Sequence, residues 1–230
     1  MKKTICLICA AIFCFSCLQA QYYKIITVEA GTKVAEKFPV SARYLYPHFI
    51  EGQVYMKSGA VSPNKLNYNL LLGEIEFINE RDTMVISRKK DVKLITVAQD
   101  TFLYRNGYLR LIHSGSVKVC LSDKIKLKDV VKKGAMGTAN RTSSVDSYTI
   151  LPVDYKLYDL VYAEDLEFQR SLGYFILTSS GDLIDFRKKN VLELYPDNET
   201  DIQKYLKSNK VNFEKQEDIL RFADYLEGLQ

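Results

Sequence analysis

The chain has no tryptophan, only two histidines and, outside its first twenty residues, a single cysteine. Each scarcity excludes something. Metal centres draw on His, Cys and carboxylate ligands clustered at short spacing. His48 and His113 lie far apart with no such cluster beside either, so the sequence offers no metal site. Cys6, Cys9, Cys14 and Cys17 all fall near the N-terminus, which leaves Cys120 alone in the remainder. A lone cysteine makes no internal disulfide, so the fold must be held by its core. The best stacking residue for a sugar is missing, and the sixteen tyrosines suit half-buried strands as well as a ligand platform.

Charge of one sign is also lacking. There are 32 basic and 28 acidic residues, a formal net charge of +4. That balance gives no long-range pull on nucleic acid. Nor does any segment after residue 20 reach the ~20 apolar residues that a membrane-spanning helix needs.

The N-terminus is different. Lys2 and Lys3 precede an almost wholly apolar run, Ile5 to Phe15, and "LQA" ends in small Ala20 before Gln21. Basic end, apolar middle and small residue at the cut describe a secretory signal peptide over residues 1–20, too short for a transmembrane anchor. The mature protein is expected in the periplasm or at the cell surface. The alternative is lipidation at Cys17 of "CFSC", for which Phe15 is a poor neighbour.

What is present after residue 20 is alternation. Residues 21–47 hold one strand, "YYKIITVEAG", and an irregular connector. From residue 48, short runs place apolar residues at every second position, as in Val54 and Met56, Ile75 and Phe77, or Val117, Val119 and Leu121. Polar turns separate them: Ser58-Gly59, Asn79 to Asp82, Asn106-Gly107, "SGS" at 114–116, and Ser179 to Asp182. Asn-Gly is a strong hairpin signal because both residues tolerate positive φ. Period-two runs joined by tight turns predict consecutive antiparallel strands with one buried face. On that pattern Glu74 and Glu76 point away from Ile75 and Phe77 and form a solvated face.

"KKGAMGTANRTSSVDSYTILP", residues 132–152, breaks the alternation and reads as a long exposed loop. The last stretch, residues 188–228, changes period. "RKKNVLELYP" predicts a short helix stopped by Pro196, Asp197 is placed to cap a second with Ile202, Tyr205 and Leu206 on one side, and Ile219, Phe222, Ala223 and Leu226 form the apolar stripe of a third. The expected fold is α+β: an antiparallel meander, a curled sheet or open barrel, with C-terminal amphipathic helices packed on it, in one domain over residues 48–230. The layout argues against a membrane barrel, because the opposite faces carry Lys, Glu, Arg and Gln where an apolar band is required.

No constellation for chemistry emerges. "IHSGS" brings His113 near Ser114 and Ser116, but neighbours on a strand diverge and Ser-Gly-Ser is turn chemistry. Cys120 has nothing beside it that marks an activated thiolate. The glycines of "KKGAMGTANRTSS" do not follow the order of a phosphate-binding loop. Lys124, Lys126 and Lys128, with Lys132 and Lys133 further along, form a basic stripe that suits an edge-protecting strand face more than an anionic ligand.

"IEGQVYMKSGAVSPNKLNYNLLLGEIEFINERDTMVI", "QDTFLYRNGYLRLI", "KKGAMGTANRTSSVDSY" and "NVLELYPDNETDIQKYLKSNKVNFEKQEDILRFADYL" resemble a group of small exported proteins of Gram-negative bacteria, over roughly residues 48 to 226. The resemblance lies in extended patterns and not in a catalytic motif. It implies an exported envelope protein and a single structural unit, and it carries no functional residue across. The resulting expectation is a non-catalytic binding or scaffolding protein of the bacterial envelope, with an envelope protein or glycan as partner and no catalytic, cofactor-binding or metal residue. The alternative is a hydrolase acting on envelope material, with carboxylates assembled from distant strands.

Overall fold

The computed structural model describes residues 25–133, 139–141 and 161–229. The expected signal peptide lies outside them. Among them, twelve strands form an antiparallel sheet that is not closed into a barrel, with three amphipathic helices at the C-terminal end, as the alternation and the late change of period predict.

The chain divides into two compact units where the sequence reading has one domain. The smaller takes residues 1–39 and 125–170, the larger residues 40–124 and 171–230. Strands β9 (Lys118–Lys133) and β11 (Asp165–Leu177) contribute residues to each.

In the smaller unit β1 (Ile26–Val28) pairs with β11 at Ile26↔Phe168, Thr27↔Glu167 and Val28↔Leu166. The connector expected to be irregular contains a one-turn helix, α1 (Val34–Lys37). Its Val34 and the following Phe38 are fully buried, and Phe38 meets Phe168 edge to face at 5.2 Å. Part of the expected long loop is also ordered. Residues 132–133 belong to β9, and β10 (Ala139–Arg141) pairs back on it at Ala139↔Lys133. Polar composition misled the reading here, because ladder hydrogen bonds do not require apolar side chains. Residues 142–152 lie outside the description.

In the larger unit a second short helix, α2 (Val40–Arg43), leads into β2 (Ile50–Met56), β3 (Val61–Asn69), β4 (Glu74–Asn79) and β5 (Asp82–Val85), each paired with the next. A 3-10 turn at Lys89–Asp91 then returns the chain to the other edge of β2, where β6 (Val92–Val97) pairs. The meander continues through β7 (Asp100–Tyr104) and β8 (Tyr108–Ser114) to β9. The predicted turns are found. Asn106 and Gly107 have φ of 54° and 143°, Glu80 closes β4 to β5 at φ 55°, and the Thr178 amide donates to the Asp182 carbonyl across the turn from β11 to β12 (Leu183–Asp185).

Three helices close the chain: α3 (Lys188–Leu194), α4 (Glu199–Asn209) and α5 (Gln216–Glu227). Asp197 does not cap α4. It lies in a 3-10 turn at Pro196–Asn198, and the cap residue is Asn198, without a side-chain bond to the helix. The apolar stripes behave as periodicity requires. Ile202 and Leu206 of α4 and Ile219, Phe222, Ala223 and Leu226 of α5 share a core with Val119 and Leu121 of β9, Val117 just before it, Tyr174 and Ile176 of β11, and Phe186. Phe222 sits at its centre, stacked on Phe186 at 5.6 Å and on Tyr205 at 5.7 Å, with Phe213 edge-on at 5.9 Å.

Candidate functional site

The largest departure from expectation lies on the polar side of β3 and β4. Antiparallel register sets Asn67 opposite Glu76 and Asn69 opposite Glu74, so four polar side chains share one face. That face is not wet. Asn67, Asn69 and Glu76 are 0% exposed and Glu74 is 9% exposed. The segment 43–48 covers it. The Leu45 amide donates to the Tyr68 carbonyl (2.9 Å), and the Leu70 amide donates to the Arg43 carbonyl (2.7 Å).

The two asparagines and Glu76 are fully engaged, as they must be because an unpaired amide or acid is costly away from water. Asn67 behaves as an extra peptide unit. Its Oδ1 accepts from the Tyr46 amide (3.2 Å), and its Nδ2 donates to the carbonyls of Tyr46 (2.9 Å) and His48 (3.2 Å). Asn69 Oδ1 accepts from the amides of Leu71 and Leu72, both at 3.1 Å, and shapes the turn into β4. Its Nδ2 donates to Glu76 Oε1 (3.1 Å), while the Tyr44 hydroxyl donates to Glu76 Oε2 (2.5 Å). Further along the same segment the Tyr46 hydroxyl donates to Asp100 Oδ2 (2.5 Å), and Arg110 Nη1 reaches both Asp100 oxygens at 3.3 Å.

Burial raises the pKa of Glu76 above its ordinary value, against the lowering pull of Tyr44, Asn69 and Arg43 and with a further push from Glu74. A protonatable carboxyl beside a second carboxylate is the pattern of an acid/base pair. Here, however, both oxygens of Glu76 are held by fixed donors. Glu74 differs: Lys89 Nζ donates to its Oε1 (2.6 Å), whereas Oε2 is buried with no hydrogen-bond partner among the described residues. The hydroxyl of buried Tyr108 is likewise without one among them, and Glu74 raises its pKa after burial does.

A second cluster forms at the turn from β8 to β9. His113 Nδ1 lies 2.6 Å from the Val117 carbonyl oxygen, and Nε2 lies 3.1 Å from Asp224 Oδ1 on α5. Glu227, one turn further along α5, accepts from the Val117 amide through Oε1 at 3.2 Å and approaches His113 Nδ1 to 3.9 Å. Burial disfavours protonation of His113, but the Val117 carbonyl, Asp224 and Glu227 outweigh it and its pKa is raised. A Cβ at Gly115 would meet Glu227 Oε1 at 1.7 Å, so a larger residue there would displace the Glu227 carboxylate. The ring thus engages Val117 and α5.

The remaining predicted positions do not converge. His48 is exposed. Cys120 is buried, and burial pushes its thiol up to about 11 despite the opposing charge of Arg105. Lys126 and Lys128 are exposed, whereas Lys124 is half-buried and would contact side chains placed at Gly73 or Gly107. The side chains of Lys132 and Lys133 lie outside the description. Sequence reading missed the role of Asn67 and Asn69 altogether. The available signal was two asparagines at alternate positions in a strand, where asparagine is disfavoured unless its amide is employed. Compared with known protein families, curated proteins and solved structures, the chain matches none of them.

Proposed function

We propose that this is an exported, non-catalytic binding or scaffolding protein of the bacterial envelope, with an envelope protein or glycan as its partner. The observation that carries this reading is Glu76. It is the acid best placed by burial to do chemistry, and both its oxygens are spent on Tyr44 and Asn69, holding the segment 43–48 to the sheet. Asp100 is engaged in the same way by Tyr46 and Arg110. Acids committed to internal donors rigidify a surface and leave no proton acceptor for a substrate. The leader-like N-terminus supports export, and the resemblance to small exported proteins points to the same compartment.

The hydrolase reading keeps one observation in its favour: Glu74 and Glu76 lie two residues apart on a sheltered face, and Glu74 Oε2 is unengaged among the described residues. Its carboxylates would come from one strand and not from distant ones. Incubating the protein with purified envelope glycan and with envelope membranes separates the two readings. Saturable retention without released product supports binding. Release of soluble fragments that Glu74→Gln abolishes, with the fold intact by circular dichroism, overturns it in favour of the hydrolase.

A further inference from the structure

The side chains of His113, Asp224 and Glu227 offer one ligand atom each, all within 4.8 Å of one another. Their arrangement is more specific than proximity. The Val117 carbonyl accepts from the ring at Nδ1 (2.6 Å), which places a proton on that nitrogen and leaves the lone pair of the neutral imidazole on Nε2. Metal-bound histidines are oriented in the same manner, by donating the other N–H to a carbonyl or carboxylate. Nε2 then faces a carboxylate oxygen, Asp224 Oδ1, at 3.1 Å. Two acceptors at that distance repel unless a cation lies between them. A proton is one such cation. A metal ion about 2.0–2.2 Å from each ligand is another, since such ligands sit roughly 3–3.4 Å apart.

We propose that His113 Nε2 and Asp224 Oδ1 bind one divalent transition-metal ion of the zinc class, which fastens α5 to the turn from β8 to β9, with Glu227, whose Oε1 accepts from the Val117 amide on the Nδ1 side of the ring, joining the set through its second oxygen. The donor set selects the ion. One imidazole with carboxylates suits Zn2+ and its neighbours, whereas Mg2+ and Ca2+ take all-oxygen shells. Asp224 and Glu227 stand three residues apart on α5 and so project from one side of the helix. The Asp224 side chain is 71% exposed, which gives the ion an entry path and leaves coordination positions for water. Binding displaces the proton shared between Nε2 and Asp224 and involves no change of oxidation state.

The test uses the full chain with its thiols alkylated, stripped with chelator, titrated with Zn2+ and followed by the ring resonances of its two histidines, His48 serving as internal control for general histidine binding. The expected result is a saturable shift of the His113 resonances at one equivalent with His48 unmoved. Thermal midpoint should rise by about 5–10 °C when free Zn2+ is ~100-fold above Kd. Asp224→Asn, a change at an exposed position that keeps the shape, should weaken this binding at least roughly tenfold, and His113→Gln should abolish it. Unmoved His113 resonances, equal affinity in Asp224→Asn, or an equal response to Mg2+ would each overturn the proposal.

Discussion

Replacing Glu76 with alanine removes the acceptor for two buried donors, the Tyr44 hydroxyl and Asn69 Nδ2, and so tests whether that carboxylate holds the segment 43–48 to the sheet. Each donor left unpaired costs about 1–3 kcal/mol. Deleting a carboxylate whose charge is disfavoured by burial returns part of that. The net expectation for Glu76→Ala is a loss of about 2–4 kcal/mol. Glu76→Gln keeps one oxygen for Asn69 and presents an amide to Tyr44, whose hydroxyl can turn to accept it, so its loss should stay under about 1 kcal/mol. The two variants also differ in pH dependence. The folded pKa of Glu76 is raised above its ordinary value of 4.5, so the folded state holds the proton more tightly. The stabilisation this brings is full below the unfolded pKa and is lost as pH rises through the folded one. Wild type should therefore lose ground against Glu76→Gln as pH climbs above 4.5, and the difference should level off beyond the folded pKa. Urea unfolding followed by far-ultraviolet circular dichroism at several pH values measures both effects. A Glu76→Ala variant within ~0.5 kcal/mol of wild type, or a difference from Glu76→Gln that stays flat between about pH 4 and 8, would show that the carboxylate is not what secures the segment.

Two further perturbations probe the core. Phe222→Ala should lose about 3–5 kcal/mol, because Phe222 is fully buried among Phe186, Phe213 and Tyr205; a loss below ~1.5 kcal/mol in the same urea assay would mean that the helices are not anchored there. The Cys120 thiol, buried and pushed up to about 11, should resist alkylation in the native protein and react only in urea. Peptide mapping by mass spectrometry reads this directly, and native labelling as fast as in urea would contradict the burial.

Alternation made the strands and hairpins legible because a strand's period is short and local. Asn106-Gly107 announces its turn in two residues, and the stripe Ile219, Phe222, Ala223 and Leu226 announces the face of α5 in eight. What alternation does not report is whether the second face is covered. Val119, Cys120 and Leu121 are consecutive in β9 and all buried, so both sides of that strand are dry. The same inference failed at Glu74 and Glu76. A polar residue at every second position predicts water only if nothing lies over it, and what lies over it here comes from residues 43–48 and from Lys89.

Both clusters were hidden for the same reason: each is assembled across a sequence separation that no local pattern spans. His113 and Asp224 are 111 positions apart, and Tyr44 and Glu76 are 32 apart. In each case one partner sits on a strand or its turn and the other on a segment laid down later or earlier in the chain. Chemistry-bearing residue types were visible in the sequence, but their meeting depends on where α5 and the segment 43–48 dock, and docking is decided by apolar surfaces elsewhere. Ile219, Phe222 and Leu226 place α5 on the sheet, and only then do Asp224 and Glu227 reach the turn that holds His113. The polar contacts therefore read out the hydrophobic packing and do not direct it. It follows that losing the core anchor at Phe222 should separate the His113 cluster, whereas losing Asp224 should leave the core intact.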